Sequence, residues 1–265
     1  MARLMPTPPL PRAQTRIGVL VPFTNTNLEP DLHLMCPPDT SLHITRIGGY
    51  RENDIPDAAE MARMGDADID GALALIAGCH PDAVLYGCTS ATLAHGRAFD
   101  IALAQRIRSA TGAVTITAAG AIVFALKALG VTKVGLATPY VGVINNRTIQ
   151  FLADEGLETL ACGEVQQNLL SHEQGALSPG EIEELAKRAD HTGAQAVVLA
   201  CTDLRAIEAI PRIETVLSKP VVTSNQAMMF MAMVQLGLEQ NLNSPGLLFQ
   251  SLSSLNPKIP GLHKD

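Results

Sequence analysis

Asp82-Ala-Val-Leu-Tyr-Gly-Cys88-Thr89 and Gln195-Ala-Val-Val-Leu-Ala-Cys201-Thr202 are two copies of one pattern, a short apolar run that ends in Cys-Thr. A continuous apolar run of this length is typical of a strand that is buried in a parallel sheet. In open α/β sheets, ligands bind outside the carboxyl ends of such strands. The two stretches therefore predict one cleft with a thiol on each wall.

The duplication extends beyond the cysteines. Arg16-Ile-Gly-Val-Leu-Val-Pro-Phe23 is echoed by Lys133-Val-Gly-Leu-Ala-Thr-Pro-Tyr140, and each glycine lies at a similar distance from its cysteine. A third match pairs two sets of residues at identical spacing: Thr117, Ala121 and Phe124, and Thr223, Ala227 and Phe230. Three matched elements in the same order indicate an internal duplication of two α/β halves, because the repeat is too long for a solenoid.

Short β-branched runs alternate with helical patterns along the chain. Strands are predicted at 16–21, 42–46, 82–87, 113–117, 133–137, 196–200 and 220–223. Helices are predicted at 66–78, 97–111, 119–129, 143–155, 178–192 and 226–236. This alternation predicts an α/β fold with two pseudo-symmetric parallel-sheet domains and the active site in the cleft between them.

The domain boundaries follow from this pattern. We assign residues 15–113 together with 221–243 to the first half and residues 114–220 to the second. Residues 1–14 and 244–265 carry proline and little periodicity, and we expect them to be terminal extensions. The apolar run 247–252 is a candidate contact in a homo-oligomer.

The composition argues against two classes of partner. The 265 residues carry a net charge of −7 and include six Phe, three Tyr and no Trp, which does not suit a nucleic-acid surface. No stretch approaches the roughly 20 apolar residues of a membrane helix, and the N-terminus lacks the apolar core of a secretory signal. We therefore expect a cytoplasmic protein without a membrane partner. The five cysteines lack CxxC spacing, which indicates reduced thiols, and no spacing resembles a zinc site.

Several motifs together resemble the aspartate/glutamate racemase superfamily. They are Gly-Cys88-Thr-Ser, Ala-Cys201-Thr-Asp, the run from Pro22 to Glu29, Thr138-Pro-Tyr140 followed by Asn145-Asn-Arg147, and Thr223-Ser-Asn225. The similarity runs from about Arg16 to Gly237 and favours the branch that holds maleate cis-trans isomerases, arylmalonate decarboxylases and ectoine-utilisation proteins. The resemblance implies two domains that face each other across a cleft, no cofactor, and two cysteines on opposite sides of a small carboxylate substrate.

The candidate site residues follow from the chemistry of thiols and carboxylates. A thiol with an ordinary pKa of about 8.5 becomes a base or nucleophile when its thiolate is stabilised, and we predict Cys88 and Cys201 as catalytic residues. Negative charge that develops on the substrate carboxylate needs hydrogen-bond donors around it. The candidate substrate-binding residues are Asn25, Thr26, Thr89, Ser90, Tyr140, Asn145, Thr202 and Asn225.

The leading functional hypothesis is a cofactor-independent isomerase of a small dicarboxylate such as maleate, with Cys88 as the nucleophile and Cys201 as the acid/base partner. In this reaction the thiolate adds to the double bond, the new single bond rotates, and elimination releases the trans acid. The residues that follow each cysteine differ from those of maleate isomerases, so another small carboxylate stays open as the substrate.

Three alternatives use the same cleft differently. The first is an amino-acid (aspartate or glutamate) or hydantoin racemase, in which the two cysteines act as opposed bases. The second is an arylmalonate-type decarboxylase, which the presence of Cys88 disfavours because those enzymes keep only the second cysteine. The third is a non-catalytic carboxylate-binding protein, which would need neither thiol.

Overall fold

The computed structural model describes residues 13–48, 67–240 and 244–252, together with residues 59, 61, 63 and 64. Its eight described strands form two four-stranded sheets. The first sheet contains β1 (Thr15–Pro22), β2 (Thr40–Ile47), β3 (Ala83–Tyr86) and β4 (Val114–Thr117). The second contains β5 (Lys133–Ala137), β6 (Glu158–Gly163), β7 (Ala196–Leu199) and β8 (Val221–Thr223).

Both sheets have the same topology. Their strand orders are β2-β1-β3-β4 and β6-β5-β7-β8, and every pair of neighbouring strands is parallel. All residues of β3 and β7 are buried, as expected for central strands of a parallel sheet. The repeated order confirms the predicted α/β class with two similar halves.

Helices follow most of the strands. They are α1 (Leu28–Met35), α2 (Asp70–Ala77), α3 (Thr89–His95), α4 (Arg97–Thr111), α5 (Ala118–Ala128), α6 (Val143–Asp154), α7 (Ser171–Gly175), α8 (Pro179–Ala189), α9 (Ile210–Leu217), α10 (Ser224–Leu236) and α11 (Leu247–Gln250). Among the described residues, no helix is long and apolar enough to cross a membrane.

The repeated threonines begin two equivalent helices. The Thr117 hydroxyl accepts a hydrogen bond from the Gly120 amide at 3.0 Å at the start of α5. At the start of α10, the Thr223 hydroxyl accepts from the Gln226 amide at 3.1 Å. Each hydroxyl satisfies one of the amides that have no partner within the helix. The matched spacing in the sequence therefore marks matched helix caps.

Two strands pair differently from the predicted division of the chain. β4 pairs with β3 in the first sheet, although the division assigns residues 114–117 to the second half. β8 pairs with β7 in the second sheet, although the division assigns residues 221–223 to the first. The helix that follows β8 does contact the first half, because α10 packs against α5 and also touches α1, β3 and β4. Each sheet thus ends with a strand whose helix lies between the two halves.

Some elements carry no strong local pattern and were not predicted. β6 is an edge strand whose residues are mostly half-buried, and it lacks the continuous apolar run of a central strand. Helices α1, α3, α7, α9 and α11 have eight residues or fewer. Short elements of this kind are formed by packing more than by intrinsic propensity.

The described part of the C-terminal segment is not a free extension. Leu248 and Phe249 are fully buried, and the Phe249 ring lies 6.1 Å from that of Phe230 in an edge-on arrangement. The Leu247 amide donates to the Glu214 carboxylate at 3.0 Å. Leu248 and Phe249 therefore pack inside their own chain, whereas Leu247 is 40% exposed, and the oligomer contact stays a prediction. Residues 1–12 and 253–265 lie outside the described part of the chain.

Candidate active site

The cleft lies at the carboxyl ends of the two central strands of each sheet. In both strand orders, the crossover direction reverses between β1 and β3 and between β5 and β7. Such switch points are where open α/β sheets bind ligands. Cys88 follows β3 and Cys201 follows β7, and both thiols line one cavity between the halves.

Further residues from both halves complete the cavity wall. They are Pro22, Thr24, Asn25, Met61, Ser90, Tyr140, Ser171, Gln174, Thr202 and Asp203. The side chains are small and polar with few exceptions. Hydroxyl and amide groups dominate the wall, which suits a small ligand with several hydrogen-bonding oxygens.

Cys88 lies on the first wall and is 6% exposed. Burial raises the pKa of its thiol, while hydrogen bonds from the Ala91 amide and the Ser90 side chain act in the opposite direction. The Ser90 hydroxyl is 3.9 Å from the Cys88 sulfur. The Ser90 hydroxyl also donates to the Met61 sulfur at 2.7 Å, so the Ala91 amide is the group here that is free to stabilise a thiolate, because hydrogen bonds to the charged form favour ionisation.

Cys201 lies on the second wall, where its surroundings oppose a thiolate more strongly. Burial and the nearby Asp203 carboxylate raise the pKa of its thiol to about 12. The Asp203 amide approaches the sulfur at 3.3 Å, and the Tyr140 side chain also hydrogen-bonds to it. These surroundings favour the neutral thiol form of Cys201.

Tyr140 connects the two walls. It hydrogen-bonds to Cys201 and to Ser90, and burial raises the pKa of its phenol well above the usual value. Its counterpart in the first half is Phe23, so one copy of the repeat carries the hydroxyl and the other does not. The cleft is thus chemically asymmetric although the fold is duplicated.

A hydrogen-bond network joins the loops after β1, β3 and β7. The Asn25 side-chain amide donates to the Thr202 hydroxyl at 3.1 Å, and that hydroxyl donates to the Gly87 backbone carbonyl at 2.8 Å. Asp203 accepts from the backbone amides of Thr26 at 2.9 Å and Asn27 at 3.1 Å. These bonds fix the relative position of the two walls.

The structure separates the predicted binding residues into two groups. Asn25, Ser90, Tyr140 and Thr202 line the cavity together with both cysteines. Thr26, Thr89, Asn145 and Asn225 are not among the lining residues.

The second group supports the wall from behind. Thr26 is exposed and contributes its backbone amide. The Thr89 hydroxyl donates to the Ser224 hydroxyl at 2.9 Å. The Asn145 side-chain amide donates to the Tyr140 backbone carbonyl at 2.8 Å. The Asn225 side-chain amide donates to the Thr202 backbone carbonyl at 3.0 Å. Each of these contacts holds a residue or loop that forms the wall.

Several lining residues were missed as binding candidates. Ser171 and Gln174 lie on α7, between β6 and α8, while Met61 is a helical residue between β2 and α2. These are corresponding places in the two halves. The internal duplication could have predicted them, because a segment that lines the cleft in one half has a counterpart at the same position in the other half. Neither segment carries a motif that indicates a binding role.

Comparison with known proteins confirms the resemblance. The family model described as arylmalonate decarboxylase matches residues 65–249. Maleate isomerase from Alcaligenes faecalis is 27% identical over 259 residues, covering 92% of this chain and 98% of the relative. Arylmalonate decarboxylase from Bordetella bronchiseptica is 34% identical over 142 residues, covering 52% of this chain and 58% of the relative.

A solved structure shows the same fold. It is a mutant of the Nocardia farcinica maleate cis-trans isomerase with a covalently bound succinylcysteine intermediate. The TM-score is 0.79 at 21% identity, and the alignment covers 89% of this chain and 98% of the other. Because the family model matches more than half of its residues, this chain belongs to the arylmalonate decarboxylase family and is an enzyme of the aspartate/glutamate racemase superfamily.

Proposed function

We propose that this enzyme is a cis-trans isomerase of a small unsaturated dicarboxylate, with maleate as the model substrate. The observation that carries the proposal is the pair of unequal thiols, Cys88 and Cys201, on one cavity. The maleate isomerase relatives support it, as does the succinylcysteine intermediate in a protein of the same fold.

The reaction begins with nucleophilic addition. The Cys88 thiolate attacks one alkene carbon of the cis acid, and a carbon–sulfur bond forms as the π bond breaks. The electron pair moves to the other alkene carbon and into its carboxylate. Donors in the wall, among them Asn25 and Thr202, stabilise the charge that develops on the oxygens.

Cys201 completes the addition by transferring its proton to the carbanion. The product is a succinyl thioether on Cys88, and Cys201 is left as a thiolate. The central carbon–carbon bond is now single and rotates. The Cys201 thiolate then removes a proton, the double bond re-forms in the trans geometry, and the Cys88 thiolate leaves. No atom or electron is gained or lost, so the cycle returns both cysteines to their starting states.

The different surroundings of the two thiols, and the resulting difference in their pKa values, favour isomerisation over racemisation. A two-base racemase works in both directions and requires that either cysteine can begin as the base. Here the pKa of Cys201 is raised to about 12, with the Asp203 charge as a contributing cause. Burial also raises the pKa of Cys88, but no carboxylate adds to that effect. One defined nucleophile and one defined acid match the isomerase cycle.

The test is proton NMR of maleate with the purified enzyme in deuterated buffer. We predict conversion to fumarate by the wild-type enzyme and a loss of at least about a thousandfold in Cys88→Ala, because the nucleophile is gone. Cys201→Ser lacks the thiolate that removes the proton in the elimination step. With water supplying the proton of the addition, we expect a succinyl adduct to accumulate on Cys88, which mass spectrometry detects. Cys79→Ser, a change to a half-buried cysteine outside the cavity, is the matched control and should keep full activity.

Two results would contradict the proposal. Retention of maleate turnover in Cys88→Ala would show that Cys88 is not the nucleophile. Deuterium exchange with loss of chirality in aspartate, glutamate or a substituted hydantoin, with maleate unchanged, would establish a racemase instead.

A further inference from the structure

A second cavity lies away from the cysteines, at the outer edge of the first sheet. It is an open cavity with a volume of about 380 Å³, lined by α4, β4, the start of α5 and α10. Pockets for small ligands have volumes of about 300 to 1,000 Å³. Because α10 follows the second sheet, this cavity is formed by elements of both halves.

One face of α4 supplies the longest wall. Asp100, Ala104 and Arg108 recur every four residues and lie along one side of the helix, with Ile101 and Gln105 beside them. The span from Asp100 to Arg108 corresponds to about 12 Å along the helix axis. The cavity is therefore elongated, with an acidic residue at one end and a basic residue at the other.

The acidic end lacks a salt-bridge partner among the described residues. Asp100 lines the cavity and is 9% exposed; the Thr117 side chain hydrogen-bonds to its carboxyl, and Oδ1, which is shielded from solvent, has no hydrogen-bond partner in the described part of the chain. Burial raises the pKa of this carboxyl to about 6, and the hydrogen bond from Thr117 acts in the opposite direction. The nearby Arg97 already pairs with Glu155. A buried carboxylate without a paired cation is costly, so this end of the cavity is complementary to an ammonium or guanidinium group.

The other parts of the wall complete the chemical pattern. Arg108 is exposed and lines the cavity, and its guanidinium has no ion-pair partner among the described residues. Ala104 lies between the two charged residues on α4, Val114 and Met231 add apolar surface, and Thr115 and Gln235 add polar groups. The wall therefore combines an acidic residue, apolar surface and a basic residue.

We propose that this cavity is a second binding site, for an elongated zwitterion whose ammonium group pairs with Asp100 and whose carboxylate pairs with Arg108. ω-Amino acids and short peptides with free termini have this chemistry. The site is independent of the cysteine cleft, because none of its lining residues lines that cleft.

Isothermal titration calorimetry with the full-length chain tests the proposal. The probe is 6-aminohexanoate. Hexylamine has only the ammonium group of this probe, and hexanoate has only its carboxylate. We expect the zwitterion to bind about tenfold more tightly than either half, because it makes two charge-assisted contacts. Asp100→Asn should weaken binding of 6-aminohexanoate and hexylamine about tenfold and leave that of hexanoate unchanged. Arg108→Gln should weaken binding of 6-aminohexanoate and hexanoate and leave that of hexylamine unchanged.

A matched control is available on the same helix. Arg106 is outside the cavity wall and pairs with Asp70 at 2.6 Å, so Arg106→Gln should bind all three probes like the wild type. Arg108→Gln changes an exposed side chain and keeps the test valid if Asp100→Asn fails to fold. The proposal is overturned if the wild type binds none of the probes, or if neither cavity variant changes binding more than Arg106→Gln does.

Discussion

At the scale of single residues, the two cysteines differ because of their neighbours. Asp203 and Tyr140 act on Cys201 in opposite directions: the carboxylate raises the pKa of its thiol, and the hydrogen bond from Tyr140 lowers it. We predict that Asp203→Asn lowers the pKa of Cys201 and that Tyr140→Phe raises it. Peptide-resolved mass spectrometry of iodoacetamide alkylation between about pH 7 and 10 measures this reactivity, because only the thiolate reacts.

The two variants serve as controls for each other. A general disturbance of the cleft would shift the pKa of Cys201 in the same direction in both variants. The asparagine introduced by Asp203→Asn keeps an oxygen that accepts from the amides of Thr26 and Asn27, so the loop retains its anchor. Alkylation profiles of Cys201 that shift the same way in both variants would show that these neighbours do not set its ionisation.

At the scale of elements, glycine determines how closely a helix packs on each sheet. A Cβ on Gly135 in β5 would lie 2.0 Å from the Ala189 carbonyl oxygen of α8. Its repeat partner Gly18 in β1 would meet the Ile76 side chain at 2.7 Å. Backbone atoms of a packed helix cannot move aside, whereas an isoleucine side chain can rotate.

We therefore predict unequal costs for the same substitution in the two halves. Gly135→Ala should lower the free energy of unfolding by about 2 to 4 kcal/mol, and Gly18→Ala by about 1 kcal/mol. Urea denaturation of both variants and the wild type measures the difference. Equal losses would contradict the close approach of α8 to β5.

At the scale of the whole molecule, three buried carboxyl groups couple stability to pH. Burial raises the pKa of Asp31 to about 7, and the pKa values of Asp100 and Asp203 to about 6. Between about pH 4 and 7 the folded chain holds protons that the unfolded chain releases, so these groups stabilise the fold less as pH rises. Their contribution falls through this window and becomes constant above it.

Asp31 has the largest shift and provides the test. We predict that the free energy of unfolding of the wild type falls between about pH 5 and 8. In Asp31→Asn this fall should be smaller by about 2 to 3 kcal/mol, because the Asp31 carboxyl no longer titrates. Urea denaturation at each pH measures the difference. The introduced asparagine keeps an oxygen for the Asn225 amide, which donates to Asp31 at 2.8 Å. Asp154→Asn, at an exposed carboxylate, should follow the wild-type curve. If Asp31→Asn also runs parallel to the wild type, Asp31 does not titrate in this window.

The sequence alone determined the features that depend on local patterns. Apolar runs predicted the central strands, and Cys-Thr after two of them placed Cys88 and Cys201 at the ligand end of the sheets. The fold class, the superfamily and the enzymatic nature of the chain followed from these motifs and are confirmed. A strand or helix cap is specified by a few adjacent residues, so its signal is readable without the rest of the chain.

Only the tertiary structure decided which side chains face the cleft. Thr89 and Ser90 are neighbours in sequence, yet Ser90 lines the cavity and Thr89 bonds to Ser224, because successive helical residues point about 100° apart. The sheet membership of β4 and β8 and the approach of Met61 and Gln174 were decided in the same way. These features depend on how distant segments pack together, and no local pattern in the sequence encodes that packing.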